Sequence, residues 1–222
     1  MAVKVGVILS GCGHRDGTEI REAVLTLLAL DRAGAEARCF APDIPQRHVV
    51  DHYRGQVVPG ETRNVLVEAA RIARGQVADL KTAKAKDLDA VILPGGYGAA
   101  LNLSSFAEQG ADATVLPEVA ALLTAMHAAQ KPIGAICIAP AVVAKALGSV
   151  HPHLTIGDDA GTAAAVTACG AVHQVCPVEQ FVVDRTNKIV TTPAYMYDAS
   201  LRGVAEGIER CVREVLALVA AR

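Results

Sequence analysis

The 222 residues predict an α/β fold, a mainly parallel sheet covered by helices on both faces, and three observations carry that expectation. Short β-branched apolar runs (VKVGVIL, LDAVIL, PIGAI) have no polar alternation, as strands buried on both faces should. Amphipathic segments of helical period separate them, which is the pattern of βαβ units. The chain is also long enough for a sizeable core, with 52% hydrophobic residues against 20% charged.

Taken in order, Val3–Leu9 reads as the first strand, bounded by Ser10-Gly11. From Glu19 to Ala33, Ala23, Leu27, Leu28 and Leu30 keep helical spacing, and Gly34 is a stop. Ala37–Phe40 is a second strand, ended by Ala41-Pro42, and residues 43–60 read as an irregular excursion containing Pro45, Pro59 and Gly60. Glu61–Arg74 is an amphipathic helix and Leu88–Leu93 a buried strand running into Pro94-Gly95-Gly96. A long helix over Leu116–Gln130 precedes a strand over Pro132–Ile136 and a short helix over Ala141–Leu147. Leu154–Ile156, Phe181–Val183 and Lys188–Thr191 are short strand candidates, and Ala199–Ala220 is the closing helix. There is no internal repeat, low-complexity tract or linker, so the expectation is one domain over residues 1–222.

Composition excludes several function classes. The net charge of −2 and seven Phe and Tyr residues, with no Trp, give neither the electrostatic footprint nor the stacking platform of a nucleic-acid binder. No apolar run approaches the ~18–20 residues of a membrane span, and the amino-terminal segment lacks the apolar region of a signal peptide. Six cysteines stand singly, without a CxxC pair or zinc spacing. The expectations are a reduced, cytoplasmic compartment with no metal and no cofactor.

In an open α/β sheet, ligands bind beyond the carboxyl ends of the strands. Ser10–Thr18, Pro94–Ala100 and Cys137–Pro140 all fall there. Cys137 ends a buried strand and precedes a helix, a nucleophile-elbow context in which the helix N-terminus should lower the thiol pKa. A buried core thiol fits the same placement. The glycines of PGGYG let backbone approach a substrate, so the Gly96 N–H and the Ile138 N–H can form an oxyanion hole; an ordinary tight turn is the alternative. Asp16 with Glu19 resembles a helix-capping box. Glu19 and Glu22 share a helix face, where a carboxyl near a thiol can shuttle protons or simply favour the helix start.

Together these pieces resemble the PfpI superfamily and, within it, the ElbB branch of sigma cross-reacting or isoprenoid-biosynthesis amidotransferase-like proteins. The matching stretches include SGCGHRDGTEIREA, GETRNVLVEAARIARG, LPGGYGAALNLSSFA, KPIGAICIAP and CPVEQFVVDRTNKIVTTPAYM, and they span nearly the whole chain. The resemblance implies a flavodoxin-like three-layer sandwich, with Cys137 as nucleophile, Glu22 as the buried carboxylic acid, and Gly96 and Ile138 as oxyanion-hole amides. Glu19, His14 and Cys12 are second-line candidates, with His14 also a solvated loop residue and Cys12 a spare loop thiol. None of His151, His153 and His173 begins a His-x-acid pair, so glutaminase chemistry is poorly supported, and His127 reads as structural.

The implied activity is glyoxalase III-type or deglycase: cofactor-independent conversion of a small dicarbonyl or aldehyde to a hydroxy acid, in a homodimer. The other reading is a non-enzymatic, redox-responsive interaction protein in which Cys137 is oxidised. Because Glu22 lies one turn deeper than Glu19, it should be the more buried of the two and have the higher pKa.

Overall fold

The computed structural model describes residues 2–221. In chain order its regular elements are β1 (Lys4–Ile8), α1 (Ile20–Arg32), β2 (Glu36–Ala41), β3 (Val50–Asp51), β4 (Gln56–Val57), α2 (Val65–Ile72), β5 (Val77–Asp79) and β6 (Ala90–Leu93). Then follow α3 (Tyr97–Leu101), α4 (Phe106–Gln109), α5 (Pro117–Ala128), β7 (Ile133–Ile136), α6 (Ala139–Leu147), β8 (His153–Leu154), α7 (Ala160–Ala168), β9 (Val172–His173), β10 (Val182–Asp184), β11 (Ile189–Thr192) and α8 (Leu201–Ala220).

Seven strands form one sheet in the order β10-β11-β7-β6-β1-β2-β5. Every pairing in it is parallel except β10 with β11. The alternation of side chains along each strand divides the core into two layers. Val5, Val7, Ile92, Ile136 and Val190 pack with α1, α2 and α8. Ile8, Val91, Leu93, Ile133 and Ala135 pack on the other face with α5 and α6. With both faces covered, the strands carry no polar alternation, which is why their sequences read as continuous apolar runs.

Starting from β1, the chain builds outward through β2 to β5 and then returns to lay β6 on the other side of β1. That reversal makes β1 and β6 a topological switch point, where a crevice opens at the carboxyl ends of the strands. The loops leaving β1 and β6 flank it, and β7 is the next strand along.

Several expectations need correction. Residues 43–60 are not wholly irregular, because β3 and β4 form a small antiparallel hairpin. The second amphipathic helix starts at Val65 rather than Glu61, since the Asn64 side chain accepts the Val67 N–H and fixes the start. The strand candidate at Leu154–Ile156 is His153–Leu154, paired outside the main sheet with β9. The short elements β5, β9, α3 and α4 were missed, as was α7, whose run AGTAAAVTA is too uniformly small to show helical amphipathicity.

Candidate active site

The elbow at Cys137 is a backbone fact. Its φ is 61°, in the left-handed region that a side-chain-bearing residue seldom occupies. The conformation is held on the β7 side by the Cys137 N–H donating to the Thr192 carbonyl at 2.9 Å. On the other side Ile138 caps α6, with Pro140 in the first turn. The thiol is 7% exposed and faces a cavity of about 650 Å³.

Glu22 is fully buried on the inner face of α1. Gly95 N–H donates to its Oε2 at 2.8 Å and Tyr195 N–H to its Oε1 at 3.4 Å. Its carboxyl is hydrogen-bonded to the Cys137 thiol. Burial and then the charge of Glu19 push the Glu22 carboxyl up to about 8, against the pull of the Gly95 amide. At neutral pH it is therefore mostly a protonated acid. The expected contrast with Glu19 holds in placement, since Glu19 is only partly buried.

The expected lowering of the thiol pKa does not appear. Burial pushes the Cys137 thiol up and the neighbouring Glu22 charge adds to it; the N–H groups of Gly96 and Ile138 pull the other way. A helix N-terminus cannot outweigh the desolvation of a thiol enclosed beside a carboxylate. The first proton lost from this pair leaves mostly the Glu22 carboxylate, and thiolate is the minor tautomer of the singly ionised pair rather than the product of a standing low pKa.

Glycine is required where three loops close on one another. A Cβ on Gly95 would lie 2.5 Å from the Cys137 Cβ and 2.8 Å from Glu22 Oε2. A Cβ on Gly96, whose φ is 92°, would lie 2.3 Å from the Glu19 nitrogen. The loop after β6 is stitched to the loop after β1 by Glu19 N–H to Gly95 O at 2.9 Å, Tyr97 N–H to His14 O at 2.8 Å and Gly98 N–H to Gly17 O at 2.9 Å.

The proposed capping box is replaced by a different arrangement. Glu19 itself caps α1, accepting the Glu22 N–H at 2.7 Å. Asp16 instead accepts the Val50 N–H at 2.8 Å and lies 3.6 Å from His52 Nε2, so it anchors the β3–β4 excursion. His14 is exposed and lines the cavity, edge-on to the His52 ring at 5.1 Å, and burial comes first among the causes that lower its pKa. Cys12 is not in the cavity wall with Cys137; it lies among the charges of Glu68, Arg71 and Asp16, and burial raises its pKa. His127 bonds Asn187 Oδ1 at 3.1 Å, a structural contact. His151, His153 and His173 are also absent from the cavity wall.

The sequence reading missed Tyr195 and Met196, although both lie in a quoted stretch, and it missed Asp159 and Thr162 of α7. Aromatic and acidic residues in loops carry no spacing signal, so only the fold brings them to the cavity. Among the described residues no group of three or more His, Cys, Asp or Glu side chains is arranged to hold a metal ion.

Fold and site together define an α/β sandwich protein with a cysteine on a strained elbow beside a buried carboxylic acid. No protein-family model matches the chain. It is 50% identical to the human glutamine amidotransferase-like class 1 domain-containing protein 3, mitochondrial, covering 98% of this chain and 84% of that one. It is 48% identical to the rat ES1 protein homolog, mitochondrial, covering 97% and 84%. A crystal structure of an isoprenoid biosynthesis protein with amidotransferase-like domain from Ehrlichia chaffeensis superposes with a TM-score of 0.92 at 42% identity, over 98% and 99% of the two chains. Drosophila melanogaster DJ-1beta has a TM-score of 0.54 at 20% identity, over 100% and 97%, and shares the fold. The chain belongs to the family of ES1 and glutamine amidotransferase-like class 1 domain proteins. The human and rat names give no support to the cytoplasmic expectation, and no helix among the described residues is long and apolar enough to cross a membrane.

Proposed function

We propose that this protein is a cofactor-independent glyoxalase III-type or deglycase enzyme of the ElbB branch, acting on a small dicarbonyl through a Cys137 covalent intermediate. The observation that carries this reading is the hydrogen-bonded pair of Cys137 and a Glu22 carboxyl that stays protonated to about pH 8, facing a cavity. The pair first gives up one proton to solvent and reacts as the thiolate with Glu22 as the acid: the Cys137 sulfur bonds to the aldehyde carbon and the carbonyl electron pair moves onto oxygen, where the Gly96 and Ile138 N–H groups donate to it. Glu22 protonates that oxygen, then as carboxylate removes the hydrogen on the former aldehyde carbon and returns a proton to the adjacent carbonyl carbon through an enediol. The aldehyde carbon is oxidised and its neighbour reduced, so no external oxidant is needed. Water then cleaves the thioester, the acid takes the hydroxyl and the thiol recovers its proton. A homodimer belongs to the same reading, and the names of the human and rat relatives favour mitochondrial over cytoplasmic use.

The test is steady-state turnover of glyoxal and methylglyoxal by wild type, Cys137→Ser and Glu22→Gln. We expect Cys137→Ser to abolish turnover and Glu22→Gln to lower kcat/KM by ~10²–10⁴-fold, the scale of a lost general acid–base. Equal turnover in wild type and Cys137→Ser overturns the reading. No wild-type turnover, with selective peroxide oxidation of Cys137, returns the redox-responsive alternative.

A further inference from the structure

The cavity over Cys137 is much larger than glyoxal requires, and its volume of about 650 Å³ lies in the range that encloses a medium-sized organic molecule. Its charge is one-sided. Two acidic residues, Glu19 and Asp159, line it, one capping the start of α1 and one capping the start of α7, and no Lys or Arg does. Asp159 is exposed and its pKa is lowered, mainly by the Thr162 side chain and amide. Arg21 is not part of the wall but is partnered beside it: its Nη1 donates to the Tyr195 hydroxyl at 3.2 Å, and its guanidinium stands over the Tyr195 ring. The remaining wall includes the aromatic side chains of Tyr97 and Phe106 with Met196, and aromatic rings receive an organic cation well.

We infer that the physiological substrate is a carbonyl compound carrying an ammonium group some distance from its reactive carbon, recognised by Glu19 and Asp159 while the carbonyl meets Cys137. This rests on the proposed function for the reaction, yet the charge preference belongs to the cavity and can be measured without turnover. Anionic carbonyl compounds, whether carboxylates or phosphate esters, meet two like charges and no counter-ion in the wall. Glu19 and Asp159 act here as specificity residues. Both also cap helices through a side-chain oxygen, and replacement by the isosteric amide keeps that acceptor.

Methanethiosulfonates of different charge probe the cavity. The Cys137 thiolate attacks the sulfenyl sulfur, a mixed disulfide forms and methanesulfinate leaves, so the rate reports delivery of each reagent to Sγ. Second-order rates at Cys137 are read by peptide mass spectrometry for the trimethylammonioethyl, sulfonatoethyl and methyl reagents, each normalised to free mercaptoethanol. We expect the normalised cation-to-anion ratio to exceed about tenfold at low ionic strength, the scale of field focusing in a charged cleft, and to shrink in high salt. Glu19→Gln and Asp159→Asn should each lower it by about threefold, with unchanged circular dichroism and Tm within a few degrees. A ratio near unity, a ratio favouring the anion, or a ratio untouched by both substitutions overturns the inference. So does failure of the neutral methyl reagent to reach Cys137. Loss of methylglyoxal turnover with the ratio intact overturns the reaction and leaves the charge preference standing.

Discussion

At the scale of single residues, the chemistry depends on one proton held between Glu22 and Cys137. Because the pair deprotonates near the Glu22 value of about 8, alkylation of Cys137 by iodoacetamide should rise through that pH. Glu22→Gln should remove that inflexion, which partial alkylation followed by peptide mass spectrometry reads directly. The same shift has a stability consequence with a definite sign. A carboxyl raised in the folded state from its ordinary value near 4.5 to about 8 contributes stability that is fully present below pH 4.5. That contribution is lost as pH rises through about 8, at up to about 1.4 kcal/mol per pH unit within the window. Urea unfolding at pH 5, 7 and 9 should therefore show wild type weakening relative to Glu22→Gln as pH increases. Parallel curves for the two proteins would mean that Glu22 does not hold its proton on folding.

At the scale of elements, the site is three loops locked against each other, and the glycines between them leave no room for side chains. Gly96→Ala would drive a Cβ onto the Glu19 nitrogen at 2.3 Å, with no flexible atom able to yield. We expect that substitution to cost several times the ~1 kcal/mol lost when a helix cap such as Asn64 is replaced by Ala. It should also uncouple Glu22 from Cys137, so thermal unfolding of Gly96→Ala and Asn64→Ala, each paired with a Cys137 alkylation profile, separates site damage from simple destabilisation. An altered profile in Asn64→Ala, whose cap lies outside the cavity wall, would count against this division.

For the molecule as a whole, the sheet is a frame whose faces carry stability and whose carboxyl edge carries chemistry. Ile208 on α8 is fully buried against the sheet, far along the chain from the elbow. Ile208→Ala should cost about 2–5 kcal/mol through the cavity it leaves. The pH of half-maximal Cys137 alkylation should stay where it is, as urea titration combined with the alkylation assay would show.

The residue pattern places β1, β6, β7 and the helices α1, α5, α6 and α8 to within about two residues at each end, because burial on one or both faces writes a period directly into the residue types. It also determined that Cys137, the Gly95-Gly96 turn and the start of α1 gather at one edge, since parallel connectivity puts every strand end there. Distances between segments remote in the chain are set by packing and leave no local pattern. The Glu22 hydrogen bonds to Gly95 and Tyr195 span 73 and 173 residues of sequence, and no local pattern encodes them. Glu19 rather than Asp16 caps α1 because the hairpin of β3 and β4 claims Asp16 through Val50. The thiol pKa rises rather than falls because desolvation depends on how completely the surrounding loops close, a property of the packed molecule that the helix N-terminus alone does not reveal.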